Sequence, residues 1–288
     1  MNDPSQVSSH AAEIARGDRF GFGRNWSRYL ELVDERRIQR AVDSLRDMLG
    51  VETLDGLSFL DIGCGSGLFS LAARRLGARV HSFDYDPDSV ACARELKRRY
   101  CAADPDWVIE EGSVLDTDYL QGLGIFDIVY SWGVLHHTGA MWRAIDNTAA
   151  RVAPGGRLFI AIYNDQGPAS RYWSWIKRAY NRWPRPLALL VLGLAFIRLW
   201  LPTTIRDLLR GRPFDTWRHY DNVRGMSPWR DVVDWVGGYP FEVARPEQVF
   251  APLHQRGFVL QRLVTCAGGL GCNEFVFSLP VEAEPVGQ

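Results

Sequence analysis

Cysteine is scarce in this chain of 288 residues, which has five cysteines, an odd number with no two spaced as a C-x-x-C pair. This pattern argues against a disulfide framework and a zinc knuckle, and it favours reduced thiols in a cytoplasmic protein. Histidine, cysteine and carboxylate residues do not occur together at the spacing of metal ligands, so we expect no metal site.

An excess of charge of either sign is also missing, because 33 Lys and Arg residues oppose 34 Asp and Glu residues and the net charge is -1. The sequence therefore lacks the basic field typical of nucleic-acid-binding proteins. Its first residues lack the basic and apolar regions of a secretory signal peptide, so we do not expect secretion. Hydrophobic residues make up 47% of the chain, which is enough for one large α/β domain with an elaboration.

Three glycines at every second position, Gly63, Gly65 and Gly67, follow an apolar segment over residues 57–62. A strand, a tight glycine turn and a helix form a site of the dinucleotide-binding type, in which backbone N–H groups face a polar ligand. The spacing differs from the nicotinamide fingerprint G-x-G-x-x-G, because the third glycine comes one residue early and Leu68 takes the sixth position.

Two acidic residues accompany this turn, Asp61 just before the first glycine and Asp84 at the end of the next apolar segment. Asp61 would repel a pyrophosphate but suits a cationic ligand. A sulfonium cofactor that carries an amino-acid ammonium has positive charge and no phosphate, and Asp84 is placed to bind two ribose hydroxyls. The pattern points to S-adenosylmethionine, with S-adenosylhomocysteine as product. A tight turn without a ligand is the alternative, which the combination with both acids disfavours.

Three segments together resemble a known family. Residues 60–67 (LDIGCGSG) resemble the first motif of class I S-adenosylmethionine-dependent methyltransferases, residues 126–137 (FDIVYSWGVLHH) resemble their fourth-strand region, and residues 151–158 (RVAPGGRL) resemble the turn before their fifth strand. Within that family the chain is similar to small-molecule enzymes such as the ubiquinone-biosynthesis O-methyltransferases. The resemblance implies a Rossmann-like α/β fold, a doubly wound sheet of seven strands whose last strand is antiparallel.

Short apolar segments typical of strands alternate with segments of helical periodicity, and this alternation favours the same fold. Helices are predicted over residues 67–76, 87–101, 139–152 and 246–256. Strands are predicted over residues 57–62, 79–84, 107–111, 126–131, 157–163, 258–264 and 274–279. In such a sheet ligands bind at the carboxyl ends of the parallel strands, so we expect the site at that edge.

Four parts are expected along the chain. They are an N-terminal aromatic and helical segment over residues 1–49, an S-adenosylmethionine-binding core over 50–163, a helical insertion over 164–243, and the end of the core sheet over 244–288. Residues 1–16 are polar and expected to be loose, and a helix is predicted over 27–49. The insertion carries seven of the eleven tryptophans, so we expect a folded cap and not a solvated linker.

The predicted cofactor-binding residues follow the first four strands. Ser113 stands where the family commonly has an acid that contacts the adenine, so its hydroxyl, the Val114 backbone or Asp116 is expected to serve instead. Ser131 and Trp132 end the fourth strand, and this tip lacks the Asn-Pro-Pro-Tyr type of motif found in enzymes that methylate bases. The complete predicted set is Asp61, Gly63, Gly65, Gly67, Asp84, Tyr85, Ser113, Val114, Ser131 and Trp132.

Two adjacent histidines are the candidate catalytic residues. Methyl transfer is an in-line displacement, so the enzyme aligns a nucleophile and, for a hydroxyl acceptor, removes its proton. His136 and His137 follow the fourth strand near the expected methyl position, and a neutral imidazole is able to take that proton. The alternative is that one histidine hydrogen-bonds to the backbone and orients a loop.

The acceptor is predicted to be a small molecule, most simply a hydroxyl on a hydrophobic or lipid-linked compound. Alternatives are O-, N- or C-methylation of a sugar or polar natural product, and a non-catalytic S-adenosylmethionine-binding subunit. Aromatic and polar residues at the same rim are candidates for the acceptor site, although capping and turn roles would explain them equally well. They are Trp26, Tyr163, Asn164, Trp235, Tyr239 and Asn273.

One apolar stretch over residues 187–201 is interrupted by Arg198 and is shorter than the roughly 20 residues that span a bilayer. Tryptophans and basic residues flank it, as in helices that lie on anionic lipid. It therefore indicates peripheral contact with the inner face of a membrane. The alternatives are a lid helix that packs on the sheet and a contact with a second copy in a homodimer.

Overall fold

The computed structural model describes residues 4–23, 26, 30–219 and 228–281. Seven strands form one sheet in the order β3-β2-β1-β4-β5-β7-β6. The first five strands are parallel, and β7 is antiparallel to both of its neighbours. The strands are β1 Ser58–Ile62, β2 Arg79–Asp84, β3 Trp107–Glu111, β4 Phe126–Trp132, β5 Val152–Tyr163, β6 Val259–Val264 and β7 Cys272–Ser278.

Helices cover the sheet and form the insertion. Numbered in chain order over the described residues, they are α1 Pro4–Ala15, α2 Glu35–Leu49, α3 Leu68–Arg75, α4 Pro87–Cys101, α5 Thr117–Leu123, α6 Met141–Ala149, α7 Pro168–Arg182, α8 Arg185–Leu209, α9 Asp215–Arg218, α10 Pro228–Gly237 and α11 Pro246–Gln255. A short 3-10 turn, Leu135–His137, follows β4.

Two apolar cores lie on opposite faces of the sheet. On one face, Leu45 of α2, Leu71 of α3 and Leu96 of α4 pack with Phe59 of β1. The other core includes Leu60 of β1, and α5, α6 and α11 contribute to it as well. Because successive side chains of a strand point to opposite faces, a parallel strand covered on both sides is apolar along its whole length.

The insertion has a small core of its own. Apolar side chains of α7, α8 and α10 pack together, among them Trp173, Ile176, Val191, Leu192 and Val236. This third core confirms the prediction that the tryptophan-rich insertion after the fifth strand is folded and helical.

The predicted fold class is confirmed, and four local predictions need correction. Residues 1–16 were expected to be loose, but within the described part of this segment Pro4–Ala15 forms α1. The helix predicted over residues 27–49 begins at Glu35, where the Asp34 carboxylate caps it by accepting from the Arg37 N–H at 2.8 Å; residues 27–29 lie outside the described part.

The fifth strand begins before the Pro154-Gly155-Gly156 turn, so it starts at Val152 and not at residue 157. Its pairing with β4 jumps from Val152 to Arg157, so the turn is contained in the strand as a bulge. The last strand likewise begins at Cys272, because that residue still pairs with Tyr163.

Candidate functional site

The glycine turn after β1 is held against the end of β2. The Gly63 N–H donates to the Phe83 carbonyl at 2.9 Å. Gly63, Gly65 and Gly67 have φ angles of 76°, 53° and 79°, a region that side chains with a Cβ rarely adopt. A Cβ on Gly63 would also lie 2.4 Å from Cγ1 of Val134. All three glycines predicted for the cofactor site therefore occupy positions at which another residue would strain the turn.

Asp61 lies at the tip of β1 and is 2% exposed. Its Oδ2 accepts a hydrogen bond of 2.5 Å from the Ser70 hydroxyl on α3, and that hydroxyl in turn contacts Ser82 at 2.8 Å. Burial, together with the nearby charge of Asp84, raises the pKa of Asp61 to about 7. A carboxylate has about four acceptor positions. Asp61 thus fixes the strand tip to α3 and keeps acceptor capacity for a cationic ligand.

Asp84 ends β2 beside the glycine turn. Its Oδ2 accepts from the Gly65 N–H at 2.9 Å and its Oδ1 accepts from the Asp86 N–H at 2.9 Å. Burial raises its pKa to about 6. The carboxylate is thereby fixed in place, and its remaining lone pairs are available to the hydroxyls of a ribose.

Tyr85, the next predicted cofactor residue, faces the N-terminal segment of the chain. Its hydroxyl donates to Glu13 of α1 at 3.3 Å, and the guanidinium of Arg19 lies 4.9 Å from the centre of its ring. The ring of His10 packs edge-on against it at 5.2 Å. Tyr85 therefore joins the cofactor turn to α1 and the residues after it.

The N-terminal segment reaches across the carboxyl edge of the sheet. The Gly23 N–H donates to Asp86 at 2.8 Å, directly after β2. Trp26 lies against the glycine turn, since a Cβ on Gly65 would lie 3.1 Å from Cε2 of its ring. Trp26, predicted for the acceptor site, is thus placed at the cofactor turn.

The same segment also contacts the residues after β4. Arg19 donates to the His137 carbonyl at 3.0 Å, and the Phe20 N–H donates to the Tyr239 carbonyl at 2.8 Å. The Phe22 ring lies 5.1 Å from the His137 ring. One stretch of chain therefore covers both the cofactor turn and the histidines.

The polar residues predicted after β3 and β4 are held mainly by local bonds. The Ser113 hydroxyl accepts from the Leu115 N–H at 3.2 Å, and the Val114 carbonyl accepts from Asn147 at 2.8 Å. The Ser131 hydroxyl donates to the Ile62 carbonyl at 2.9 Å and joins the tips of β4 and β1. These contacts shape the edge on which a cofactor lies.

Trp132 lies on the other side of β4 from the glycine turn. It is paired with Ala161 of β5, which is paired in turn with Glu274 of β7, and the indole hydrogen-bonds to Glu274. Its side chain therefore extends across β5 and is 45% exposed. The indole of Trp132, a predicted cofactor residue, thus points toward β5 and β7, and β1 with the glycine turn lies along the opposite edge of β4.

His137 lies in the 3-10 turn after β4. Its Nδ1 lies 2.6 Å from the Pro240 carbonyl oxygen, which can only accept, so the ring donates from Nδ1. In the neutral ring Nε2 then carries the lone pair. Burial, and next the charge of Lys177, lower the pKa of His137 to about 3. The ring is neutral at pH 7, as a proton acceptor must be.

His136 has a different environment. Its Nδ1 accepts from the Tyr163 N–H at 3.3 Å, and its side chain is fully buried. Its Nε2 is buried with no hydrogen-bond partner in the described part of the chain. Burial, then the neighbouring His137, lower its pKa well below the usual value. This ring is fixed to the end of β5 by the backbone.

Aromatic rings surround the two histidines. The Tyr163 ring lies 3.9 Å from His136 and 5.5 Å from His137, measured between ring centres. Trp235 and Phe241 each lie 5.4 Å from Tyr163. We call the set of Phe22, His136, His137, Tyr163, Trp235 and Phe241 the aromatic cluster. It brings together the predicted residues Tyr163 and Trp235 with both candidate catalytic residues.

A lysine completes this cluster and was missed by sequence reasoning, which counted it only among the basic residues near the apolar stretch. Lys177 is fully buried, and its Nζ lies 4.2 Å from the Trp235 ring centre and 4.7 Å from that of Phe241. A signal was available. Lys177 follows Trp173 and Ile176 at the spacing of the buried face of a helix, as Tyr180 does.

Three other predicted acceptor residues have structural contacts. Asn273 donates to Asn164 at 3.0 Å, and it accepts from the Cys266 N–H at 3.2 Å. Asn164 also bridges to Ala244. Tyr239 is joined to the N-terminal segment through its backbone. The two asparagines therefore fasten the end of β5 to the chain that surrounds it, and the structure does not bring them into the aromatic cluster.

A seven-stranded sheet with an antiparallel last strand, a glycine turn after β1 and an acid after β2 defines a Rossmann-like methyltransferase that uses S-adenosylmethionine. The buried acids fit this cofactor, because raised pKa values at Asp61 and Asp84 mark a site that a cation, and not a phosphate, would complete. The chain belongs to the methyltransferase domain family, whose model matches residues 33–219.

Named relatives and a solved structure agree with this assignment. The chain is 29% identical over 218 residues to a ubiquinone biosynthesis O-methyltransferase of Methylobacterium sp. (strain 4-46), covering 72% of this chain and 78% of the relative. It is 31% identical over 188 residues to that of Xanthomonas campestris pv. campestris (strain B100), covering 62% and 70%. An O-methyltransferase family protein from Burkholderia thailandensis shares the fold, with a TM-score of 0.52, 14% identity and coverage of 85% and 57%.

The protein is thus an S-adenosylmethionine-dependent methyltransferase of small molecules. Asp84 and the glycine turn would hold the cofactor's nucleoside, and Asp61 would face its positive charge. Within the described residues, no group of three or more His, Cys, Asp or Glu side chains is placed to hold a metal ion.

Proposed function

We propose that the protein transfers the methyl group to a hydroxyl oxygen of a hydrophobic or lipid-linked compound, with His137 as the general base. The observation that carries the proposal is the hydrogen bond of 2.6 Å from His137 Nδ1 to the Pro240 carbonyl. It orients the ring and leaves Nε2 as the proton acceptor.

The composition of the aromatic cluster supports an apolar acceptor. A site for a sugar or polar natural product needs several hydrogen-bonding side chains, and a site for an acceptor that carries phosphate or several carboxylates needs arginines. Around the histidines the structure places the rings of Phe22, Tyr163, Trp235 and Phe241. Flat apolar rings of this kind favour a ligand with a large apolar or aromatic part.

The two histidines are expected to respond differently to substitution. His137→Ala should lower turnover at least about a hundredfold with unchanged affinity for S-adenosylmethionine, the size of a lost general base. His136→Ala removes the bond to the Tyr163 N–H and should lower stability as well as activity. Release of S-adenosylhomocysteine in a total cell extract measures turnover, and calorimetric titration measures cofactor affinity.

The exposed His254 on α11 supplies a matched control. His254→Ala should keep wild-type turnover. If His137→Ala turns over at the rate of His254→Ala, His137 is not the base.

We further propose that α8 rests on an anionic membrane surface, so that the enzyme acts as a peripheral protein of the inner face. By length and composition α8 is the one described helix that is apolar enough to cross a membrane. Its most apolar 18 residues have a mean hydropathy of 1.9, and 22% of them are buried. At 25 residues it is longer than the predicted apolar stretch, so shortness no longer argues against spanning. Burial of Val191, Leu192 and Ala195 against the insertion favours a helix lying on the surface.

The opposite side of α8 is apolar and exposed. Leu190, Leu194, Ile197 and Leu201 follow one another at helical spacing and are 51% to 60% exposed. Six exposed arginines lie near them, together with one partly exposed acid, Asp215; the arginines are Arg185, Arg198, Arg206, Arg210, Arg212 and Arg218. Asp207 is instead buried and accepts from Thr216 at 2.8 Å. An apolar stripe with basic surroundings complements an anionic lipid surface.

A further inference from the structure

Lys177 has a surrounding that is unusual for a lysine. It lies on α7 with its side chain fully buried, and its Nζ donates to the Trp235 carbonyl in the last turns of α10. The faces of Trp235 and Phe241 lie 4.2 and 4.7 Å from the same nitrogen. An ammonium has three N–H donors. One of them donates to the Trp235 carbonyl, which leaves two for a ligand in the aromatic cluster.

The charged groups near Lys177 do not balance the positive charge of its ammonium form. Burial is the main cause that lowers its pKa to about 7, and the Coulombic effect of Asp234 on α10 partly offsets this. The charge of Lys177 also lowers the pKa values of two histidines that are neutral at pH 7, His136 and His137. A cation buried among rings is costly unless an anion reaches it.

A structural role accounts for part of this geometry. A cation at the C-terminal end of a helix is favourable, and the Trp235 carbonyl lies near the end of α10. That role does not require a charge that lies over two ring faces and acts on two neutral histidines, because a neutral donor would hold the same carbonyl.

We propose that Lys177 binds the acceptor oxygen as its anion, so that the enzyme selects an apolar acceptor with an acidic oxygen, such as a phenol, an enol or a carboxylic acid, over an aliphatic alcohol. The inference rests on the proposed function, because it specifies the acceptor of the same site. It also explains how a histidine of low basicity serves as base, since His137 can take a proton only from an acidic O–H group or from one whose anion is stabilised.

Proton transfer to His137 precedes methyl transfer. The acceptor O–H bond breaks, its proton goes to Nε2 of His137 and its electron pair stays on the oxygen, beside the Lys177 ammonium. That oxygen then bonds to the methyl carbon, and the carbon–sulfur bond breaks with its electron pair on sulfur, leaving S-adenosylhomocysteine. Lys177 keeps its protons throughout.

A chromogenic phenol tests the inference without knowledge of the acceptor. 4-Nitrophenol absorbs visible light strongly only as its anion, so its ionised fraction can be measured while it is bound to the full-length protein with S-adenosylhomocysteine. The wild type should lower the pKa of the bound phenol by about 1 to 3 units relative to free solution, the effect of a close opposite charge. Lys177→Met should abolish this shift.

Arg178 is the matched control, because it is the next residue on α7 and is exposed. Arg178→Met should give the wild-type shift. If Lys177→Met and the wild type ionise the bound phenol equally, Lys177 is only a structural donor to α10 and the inference is wrong, whatever the stability of the variant.

A measurement on the wild type alone covers the case in which Lys177→Met does not fold. 4-Nitroanisole is the methyl ether of the same phenol and cannot ionise. At pH 8 the phenol should bind at least about tenfold more tightly than the ether, as expected for a charge-assisted hydrogen bond. Equal affinity would overturn the inference. Neither result depends on methyl transfer, so a protein that ionises the phenol but methylates no acceptor would refute the proposed function and not this inference.

Discussion

Burial around the carboxyl edge of the sheet shifts four side chains toward their uncharged forms. The pKa values of Asp61 and Asp84 are raised to about 7 and about 6, and those of Lys177 and His137 are lowered to about 7 and about 3. Desolvation is the largest cause in each case. A ligand of opposite charge would reverse the shift. At the residue scale the acids therefore favour the positive cofactor and the lysine favours a negative acceptor oxygen.

The lysine makes stability depend on pH. In the unfolded chain its pKa is 10.5, so between about pH 7 and pH 10.5 the unfolded state holds a proton that the folded state has released. The free energy of unfolding of the wild type, relative to Lys177→Met, should therefore increase with pH across this window. From pH 7 to pH 9 the increase should be about 2 kcal/mol.

Urea unfolding at pH 7, 8 and 9 measures this difference. Arg178→Met, which removes an exposed charge from the same helix, should show no comparable trend. A difference between wild type and Lys177→Met that stays constant or decreases as pH rises would show that no buried amine titrates there.

Residue types could be predicted from the sequence more readily than side-chain directions. The three glycines were found because their positive φ angles require glycine. Trp132 was assigned to the cofactor because it ends β4, and the direction of its indole, which hydrogen-bonds to Glu274 of β7, could not be predicted from that position. Lys177 was missed because a lysine in a basic segment is expected in solvent, and its burial depends on the packing of α7 against α10.

At the scale of elements, the strands and helices of the core follow from apolar periodicity and turn residues. β1, β2 and β3 lie within a residue of the predicted bounds. The sequence did not predict α1, which is held by contacts with distant residues, and it predicted only the apolar part of α8, which is a longer helix. The side chain of His10 on α1 is buried against the chain after β2, and its Nε2 lies 3.8 Å from Asp86. Helix α8 continues past the predicted apolar stretch, which ends at residue 201, into residues 202–209.

The exposed stripe of α8 gives a prediction at this scale. Full-length protein should float with vesicles that contain phosphatidylglycerol and should remain in the soluble fraction with uncharged phosphatidylcholine vesicles. Replacing Leu190, Leu194 and Ile197 by Asp should abolish flotation, because the stripe can then no longer enter the lipid interface.

Ile125, which is 56% exposed in the loop before β4, is the control. Ile125→Asp should float as the wild type does. Wild-type protein that stays in solution with anionic vesicles, or forms dimers that the triple Asp variant cannot form, would show that the stripe contacts something other than lipid.

At the scale of the whole molecule, the sheet places both halves of the reaction at one edge. The order β3-β2-β1-β4-β5-β7-β6 brings the ends of β1 and β2, with the cofactor acids, next to the ends of β4 and β5, with His137 and Tyr163. The insertion and the N-terminal segment then enclose this edge with aromatic rings. The motifs that resemble class I methyltransferases lie in the sheet, so the fold could be predicted, whereas the residues that enclose the edge depend on packing between distant segments.

Methyl transfer to an oxygen is the central claim, and isotope labelling tests it most directly. The purified full-length protein would be incubated with a total cell extract and S-adenosylmethionine that carries a trideuterated methyl group, and the products analysed by mass spectrometry. We predict one apolar compound with a labelled methyl group on an acidic oxygen and an equal amount of S-adenosylhomocysteine. A protein that binds the cofactor but yields neither product, or that labels nitrogen or carbon, would contradict it.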